Sequence, residues 1–251
     1  MKFDFIANMS KKQKTVAIAA ISVVLALVIA FIALYSNGLS GIHHHKKAKE
    51  GQIKVACVGD SITYGHGVGG WAKNNYPAQL QKMLGEGYHV ENFGVSGATL
   101  SPDGDKPYVE TKQYKLALEY DADILVVMLG TNDSKPENFT SALDLIDDYK
   151  ALIQSFRENN SDLKVIVCSP AKAFFVNEKS ETTSFDIQPN KVTQIRNRVC
   201  SWTIFTPYYT VDIYELTENH PEWFEKDGVH PSKDGAKAIA ELIAGKIKSL
   251  K

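Results

Sequence analysis

Residues 124–133 read ILVVMLGTND, an apolar run of six followed by a glycine and three polar turn formers. A strand with one face in water alternates apolar with polar residues, whereas this run is apolar on both faces, as a strand buried between two layers of helices is. Gly130-Thr131-Asn132-Asp133 then ends it in turn chemistry. Working outward, four more short runs of strand-forming residues occur: Ile53–Gly59, Tyr88–Phe93, Lys164–Ser169 and Tyr208–Ile213. The stretches between them have helical periodicity at Tyr76–Leu84, Lys112–Tyr120, Ser141–Glu158 and Gln188–Trp202, and Lys233–Leu250 closes the chain. Strand and helix in alternation imply a parallel sheet, because parallel neighbours need a right-handed crossover and the crossovers place helices on both faces. The expected fold is therefore a three-layer α/β body around a five-stranded parallel sheet. In such sheets ligands sit beyond the carboxyl ends of the strands.

The rest of the 251 residues qualifies this picture at one end only. Hydrophobic residues are 44% and charged residues 23%, ordinary for a globular chain, and three cysteines are too few and odd in number for a disulfide framework. Cys57 and Cys168 fall in expected strands and Cys200 in an expected helix, and all three read as small core residues. The formal charge of −1 hides an asymmetry: residues 1–50 hold seven lysines against Asp4 and Glu50, so the body is acidic and offers nucleic acid no attraction. The basic head surrounds a membrane signal. Val16–Leu34 carries no charge over nineteen residues, about 28 Å of helix at 1.5 Å per residue, which spans a bilayer core. Residues 1–35 are read as an uncleaved anchor, since the run exceeds the h-region of a signal peptide and no clear small-x-small cleavage sequence follows it; a cleaved signal is the alternative, giving a secreted body. Lysines on both flanks make an N-terminus-inside orientation a lean, with the body extracytoplasmic. Residues 36–52 are polar and Gly/Ser-containing and read as a tether, with 53–251 as the globular body. His43, His44 and His45 are read as part of that solvated tether rather than as metal ligands, since no carboxylate or cysteine cluster stands nearby in sequence to complete a shell.

Chemistry gathers at the strand ends. The first strand ends in Gly59-Asp60-Ser61, the second in Asn92-Phe93-Gly94-Val95-Ser96-Gly97, and the third in Gly130-Thr131-Asn132-Asp133, while Asp227-Gly228-Val229-His230-Pro231 precedes the last helix. Serine attacks an ester only if a base takes its proton, and an imidazole suits that task. His230 is the candidate base and Asp227, three residues before it, the group that fixes its tautomer. The oxyanion formed in acyl transfer needs fixed donors, for which the backbone N–H groups of Ser61 and Gly94 and the side-chain amide of Asn132 are candidates. Each residue also has a purely structural use, Ser61 as a helix cap, Gly94 in a turn, Asn132 and Asp133 as loop caps and Asp227-Gly228 in a plain turn. Their joint appearance in this order favours the chemical reading.

With GDSIT, NFGVSGAT, GTND and DGVHP all present, the chain over roughly residues 53–250 resembles the SGNH hydrolases, also called GDSL esterases, with Ile62 where the usual motif has leucine. The resemblance implies a flavodoxin-like sheet of order 2-1-3-4-5, Ser61 as nucleophile, Asp227 and His230 as its triad partners, Gly94 and Asn132 as oxyanion donors, and no metal or organic cofactor. The stretches Asn75–Leu80, Asn92–Leu100 and Gly130–Lys135 are similar to bacterial carbohydrate O-acetylesterases, including those acting on acetylated sialic acids. The implied substrate is an acylated carbohydrate or other small ester.

Gly65-His66-Gly67-Val68-Gly69-Gly70 satisfies a dinucleotide-binding pattern but starts six residues after its strand and is not followed by a suitable helix, so it is read as a loop flanking Ser61. His66 and Trp71 in or beside that loop, and Phe174 in the irregular stretch Ala171–Pro189, are candidate substrate contacts. The leading expectation is a membrane-tethered esterase that removes acetyl-sized groups from carbohydrate. A cell-surface O-acetyltransferase, a lipase or lysophospholipase, and a silent glycan-binding module are the alternatives, the last disfavoured because a binder has no need of Ser61, His230 and Asp227 together.

Overall fold

In the computed structural model, the described residues are 10–34, 45–175 and 183–250, and the chain divides into two units, 1–44 and 45–251. Of the first unit, Lys11–Leu34 is a single helix, α1. Its apolar side chains from Val16 to Ile29 are exposed, and the helix is long and apolar enough to cross a membrane; a secretory signal fits the same description. Residues 36–44 of the expected tether, with His43 and His44, lie outside the described residues.

The second unit is built on five parallel strands, β1 (Ile53–Gly59), β2 (Tyr88–Gly94), β3 (Ile124–Met128), β4 (Lys164–Cys168) and β5 (Tyr209–Val211), in the order β2-β1-β3-β4-β5. This is the expected α/β architecture and strand order. The period-2 alternation of the strands divides the interior in two. Val55, Cys57, Val126 and Met128 face one layer, made by α4 (Tyr76–Leu84) and α9 (Lys233–Lys248), while Ala56, Val58, Leu125 and Val127 face the other, made by α5 (Lys112–Glu119), α6 (Asp144–Asn159) and α7 (Pro189–Thr203). Each large side chain so buried, Leu80, Tyr149 and Ile195 among them, contributes about 1.5–3 kcal/mol.

The helices start where side chains can hold their free N–H groups. Asn75, Thr111 and Ser232 cap α4, α5 and α9, and Pro77 occupies the first turn of α4, where its missing N–H costs nothing. Three short helices, α2 (Ser61–Tyr64), α3 (Trp71–Asn74) and α8 (Ile213–Thr217), were not expected from the sequence, because one turn is too short to show a period. The expected last strand is shortened for a related reason. Asp212 leaves the sheet to cap α8 through Glu215 N and to accept from Ser169 Oγ (2.9 Å) and from the Arg196 guanidinium, so Ile213 starts a helix instead of ending a strand. Cys57 and Cys168 lie buried in the sheet, where burial raises their thiols far above the usual range, and Cys200 is half-buried with its thiol pushed up to about 12.

Candidate active site

The carboxyl ends of β1, β2 and β3 carry the site. Two glycines let it form. A Cβ on Gly59 would stand 2.1 Å from Thr63 Oγ1, and one on Gly94 would stand 2.2 Å from Tyr64 N, so only bare backbone lets α2 sit down on the sheet end. Asp60 caps α2, its Oδ1 accepting from Ile62 N at 2.9 Å, which leaves Ser61 as the first residue of the turn with its side chain free of capping duty. Asn92 fastens the other end: its Nδ2 donates to Thr63 O at 2.8 Å, and its Oδ1 accepts the Gly94 N–H at 2.9 Å.

Asp227–His230 forms a tight turn through Gly228, whose φ of +75° suits glycine and whose bare Cα passes under the Phe174 carbonyl. Asp227 Oδ1 accepts from Val229 N (2.8 Å) and His230 N (2.9 Å), and its Oδ2 lies 2.9 Å from His230 Nδ1. Burial alone would raise this carboxyl, but the His230 ring and the two backbone N–H groups outweigh burial and hold it down at about 2. An ionised Asp227 only accepts, so the proton between the two sits on Nδ1, and Nε2 is left to accept. Ser61 Oγ lies 2.8 Å from that Nε2. Both side chains are buried, His230 at 4% and Ser61 at 7% exposure.

Asn132 opens a short 3₁₀ turn after β3, and its Nδ2 donates to Ala98 O at 3.0 Å, leaving a second amide hydrogen for a ligand. Asp133 ties the loops after β2 and β3 together, accepting from Leu100 N (3.0 Å) and Ser101 N (2.8 Å). Burial pushes its carboxyl up to about 6 against those two N–H groups, and Asp60 is likewise pushed up to about 6 by burial. Asp60 Oδ2 and Thr131 Oγ1 are buried and outside hydrogen-bond geometry, though Thr131 is close enough to lower the Asp60 carboxyl.

A cavity of about 350 Å³ opens over Ser61 and His230, with Asn132, Gly97 and His66 in its walls. Three larger hollows, of about 610, 560 and 440 Å³, contain none of these residues. The expected place of Gly94 is corrected here. Its N–H is taken by Asn92 and its Cα is packed under Tyr64, so it serves the floor beneath Ser61; Gly97, three residues on, lines the cavity with φ +81°. Among the described residues the N–H groups of Gly97 and Ser61 make no hydrogen bond. Gly97 stood in the same NFGVSGAT block, and its distinguishing sign, a glycine beyond the strand end rather than in it, was readable. Asn92, which fastens Thr63 and Gly94, lies in the same block.

Of the three candidate substrate contacts, the structure brings only His66 to the cavity. Its ring lies 4.5 Å from that of His230. Trp71 anchors the glycine loop instead, donating from Nε1 to Tyr64 O at 2.7 Å, and Phe174 packs edge-on to Phe224 at 5.1 Å. From the stretch 171–189, of which Asn177 lies outside the described residues, the cavity is lined by Phe185 and its neighbours. His45 is not a solvated tether residue: Nδ1 lies 2.9 Å from Glu91 Oε2 and the ring stacks on Phe93 at 4.5 Å. The glycine loop holds no dinucleotide fold, since α3 after it is one turn long.

The model of the GDSL-like lipase/acylhydrolase family matches residues 57–238. An acetylxylan esterase of Xylanibacter ruminicola is 36% identical over 217 residues, covering 80% of this chain and 44% of its own length, so this chain spans less than half of that relative. Among solved structures, Est24, a carbohydrate acetylesterase from Sinorhizobium meliloti, superposes with a TM-score of 0.65 at 19% identity over 80% of this chain and 100% of its own. A lipase/acylhydrolase from Enterococcus faecalis gives 0.64 at 20% identity over 79% and 96%. At such identities the likeness speaks for the fold.

Proposed function

The chain belongs to the GDSL-like lipase/acylhydrolase family, and on that premise we propose that it is a serine esterase removing acetyl-sized groups from carbohydrate. The observation that carries the reading is the relay from Ser61 Oγ through His230 to Asp227, at 2.8 and 2.9 Å, opening into a cavity walled by Asn132 and Gly97.

Ser61 Oγ attacks the ester carbonyl while His230 Nε2 takes its proton, and the imidazolium is stabilised by the ionised Asp227. The oxyanion accepts from the N–H groups of Ser61 and Gly97 and from the second amide hydrogen of Asn132, donors already in place before charge develops. Collapse expels the sugar hydroxyl, protonated by His230, and leaves an acyl-Ser61. Water, deprotonated by the same His230, then releases the acid and restores the serine. The acetylxylan esterase relative supports an acetylated polysaccharide such as acetylxylan as the substrate class. The α1 helix is proposed as a single membrane anchor with the body outside the cytoplasm, a secreted body following if it is cleaved. Carbonate extraction of membranes tests the anchor: retention in the pellet supports it, and release as a shortened chain contradicts it.

The test of the chemistry is initial rates of the full chain on p-nitrophenyl esters from acetate to dodecanoate. The expected profile is highest at acetate and falls steeply with length. A maximum at long chains would move the substrate to lipid esters, and acyl transfer to an added glycan in place of acid release would make the protein a transferase.

A further inference from the structure

Outside the relay, the cavity has one feature that packing does not require. Phe185 is 42% exposed at the cavity wall, although the turn that carries it is firmly held. Thr183 N donates to Ile187 O at 3.0 Å, Asp186 N donates to Thr183 O at 3.3 Å, and both Thr183 and Ile187 are buried. Ile187 packs in one apolar cluster with Val229, the neighbour of His230, so the turn is fixed to the same segment that carries the base. Asp186 adopts a φ of +59°, a left-handed turn conformation that aspartate takes more readily than most residues. The Phe185 ring thereby stands at nearly a right angle to the His230 ring, at 5.0 Å, and to the His66 ring, at 6.1 Å. Part of the side chain is left to solvent.

The other walls mix polar and apolar groups. Ser96, Ser184, Asp186 and Lys135 surround Phe185, and Lys135 is steadied by Asp105 at 3.2 Å. An alkyl chain gains about 0.8 kcal/mol for each CH₂ it buries against apolar wall, and this cavity offers it little beyond Phe185, Ile187 and Val229. A pyranose ring has the complementary surface, with a C–H face for an aromatic ring and hydroxyls at its edges for the hydrogen-bonding groups. We propose that Phe185 is a specificity-determining residue, the platform on which the sugar ring bearing the scissile acetyl group stacks, with the rim of Ser96, Ser184, Asp186 and Lys135 receiving its hydroxyls. This rests on the esterase reading above and names the part of the site that would select a sugar.

The test uses the full chain, with Phe185→Ala, Phe185→Tyr and Phe185→Trp compared on an acetylated xylo-oligosaccharide and on ethyl acetate, which share an acyl group and differ in the ring. Phe185→Ala is expected to raise KM for the saccharide and to lower its kcat/KM relative to ethyl acetate by about tenfold, the loss of one modest contact. Tyr and Trp are expected to restore the ratio. Equal losses on both esters, concentrated in kcat, would overturn the platform and leave Phe185 a positioning residue for the His230 ring. Calorimetry of unacetylated xylo-oligosaccharide binding to Ser61→Ala, with and without Phe185→Ala, separates the two readings. Binding that weakens about tenfold without Phe185 supports the platform whatever the turnover, and unchanged binding overturns it even in an active esterase.

Discussion

The floor and the wall of the cavity are built differently. The floor is made by GDSIT, NFGVSGAT, GTND and DGVHP, and its side chains are locked by backbone: Asn92 on Thr63 and Gly94, Asp133 on Leu100 and Ser101, Asp227 on Val229 and His230. The wall contributed by residues 183–187 is held at its ends by Thr183 and Ile187 and presents side chains between them. A floor fixed through backbone requires particular residue types at particular spacings, so it reads as a motif. A wall of this kind requires only a buried anchor at each end, and the residues between are free to follow the substrate. On the proposed function, the floor carries the ester chemistry and the wall the selection of the substrate.

The contrast breaks most visibly at Asp227. Asp227→Asn is expected to lower kcat by ~10⁴-fold, because an amide no longer enforces Nδ1–H. Steady-state rates at pH 8 check this, where the carboxyl of the parent, held at about 2, is ionised. The associated stability has a definite sign: a depressed carboxyl stabilises the fold above its ordinary 3.8 and loses that contribution as pH falls through about 2. Asn132→Ala comes next, with an expected loss of about 10²–10³ in kcat and little change in KM, as for one oxyanion donor.

How far each region was legible follows from the same contrast. The strands and the five long helices of the body were readable because apolar runs and 3.6-residue periods persist over many residues, whereas the sheet order followed only from the resemblance to the SGNH hydrolases. Ser61 and Asn132 were readable from residue type at strand ends and Asp227 and His230 from their spacing in the turn before the last helix, and the structure brings the four together. Gly94 and Gly97, three apart, look alike in sequence; only packing shows that one lies under Tyr64 and the other lines the cavity. Phe174 and Trp71 drew attention as aromatics near the rim, yet each is turned to an internal partner, and Phe185, in a stretch with no period, holds the place at the wall.

Smaller effects sharpen the comparison. Burial raises Asp60 from 3.8 to about 6, so the native state binds its proton more tightly than the unfolded chain does, and this group opposes folding increasingly as pH rises from about 4 to 6. Asp60→Asn keeps the Oδ1 cap on Ile62 and is expected to raise Tm more at pH 8 than at pH 4, by thermal unfolding at the two values. An equal change at both would show that the carboxyl is not buried as described. Trp71→Phe, which removes the bond to Tyr64 O from the glycine loop, is expected to cost about 1 kcal/mol in urea unfolding, with kcat/KM within a few-fold of the parent.

The central claim is that Ser61 is the nucleophile, although Ser96 and Ser184 also line the cavity. The most direct measurement is labelling of the full chain with a fluorophosphonate, followed by peptide mass mapping and rate measurement on p-nitrophenyl acetate. The expected result is a single adduct on Ser61, complete loss of esterase rate in step with labelling, and no labelling in Ser61→Ala. An adduct on Ser96 or Ser184 that abolishes turnover while Ser61 stays unmodified would contradict the account.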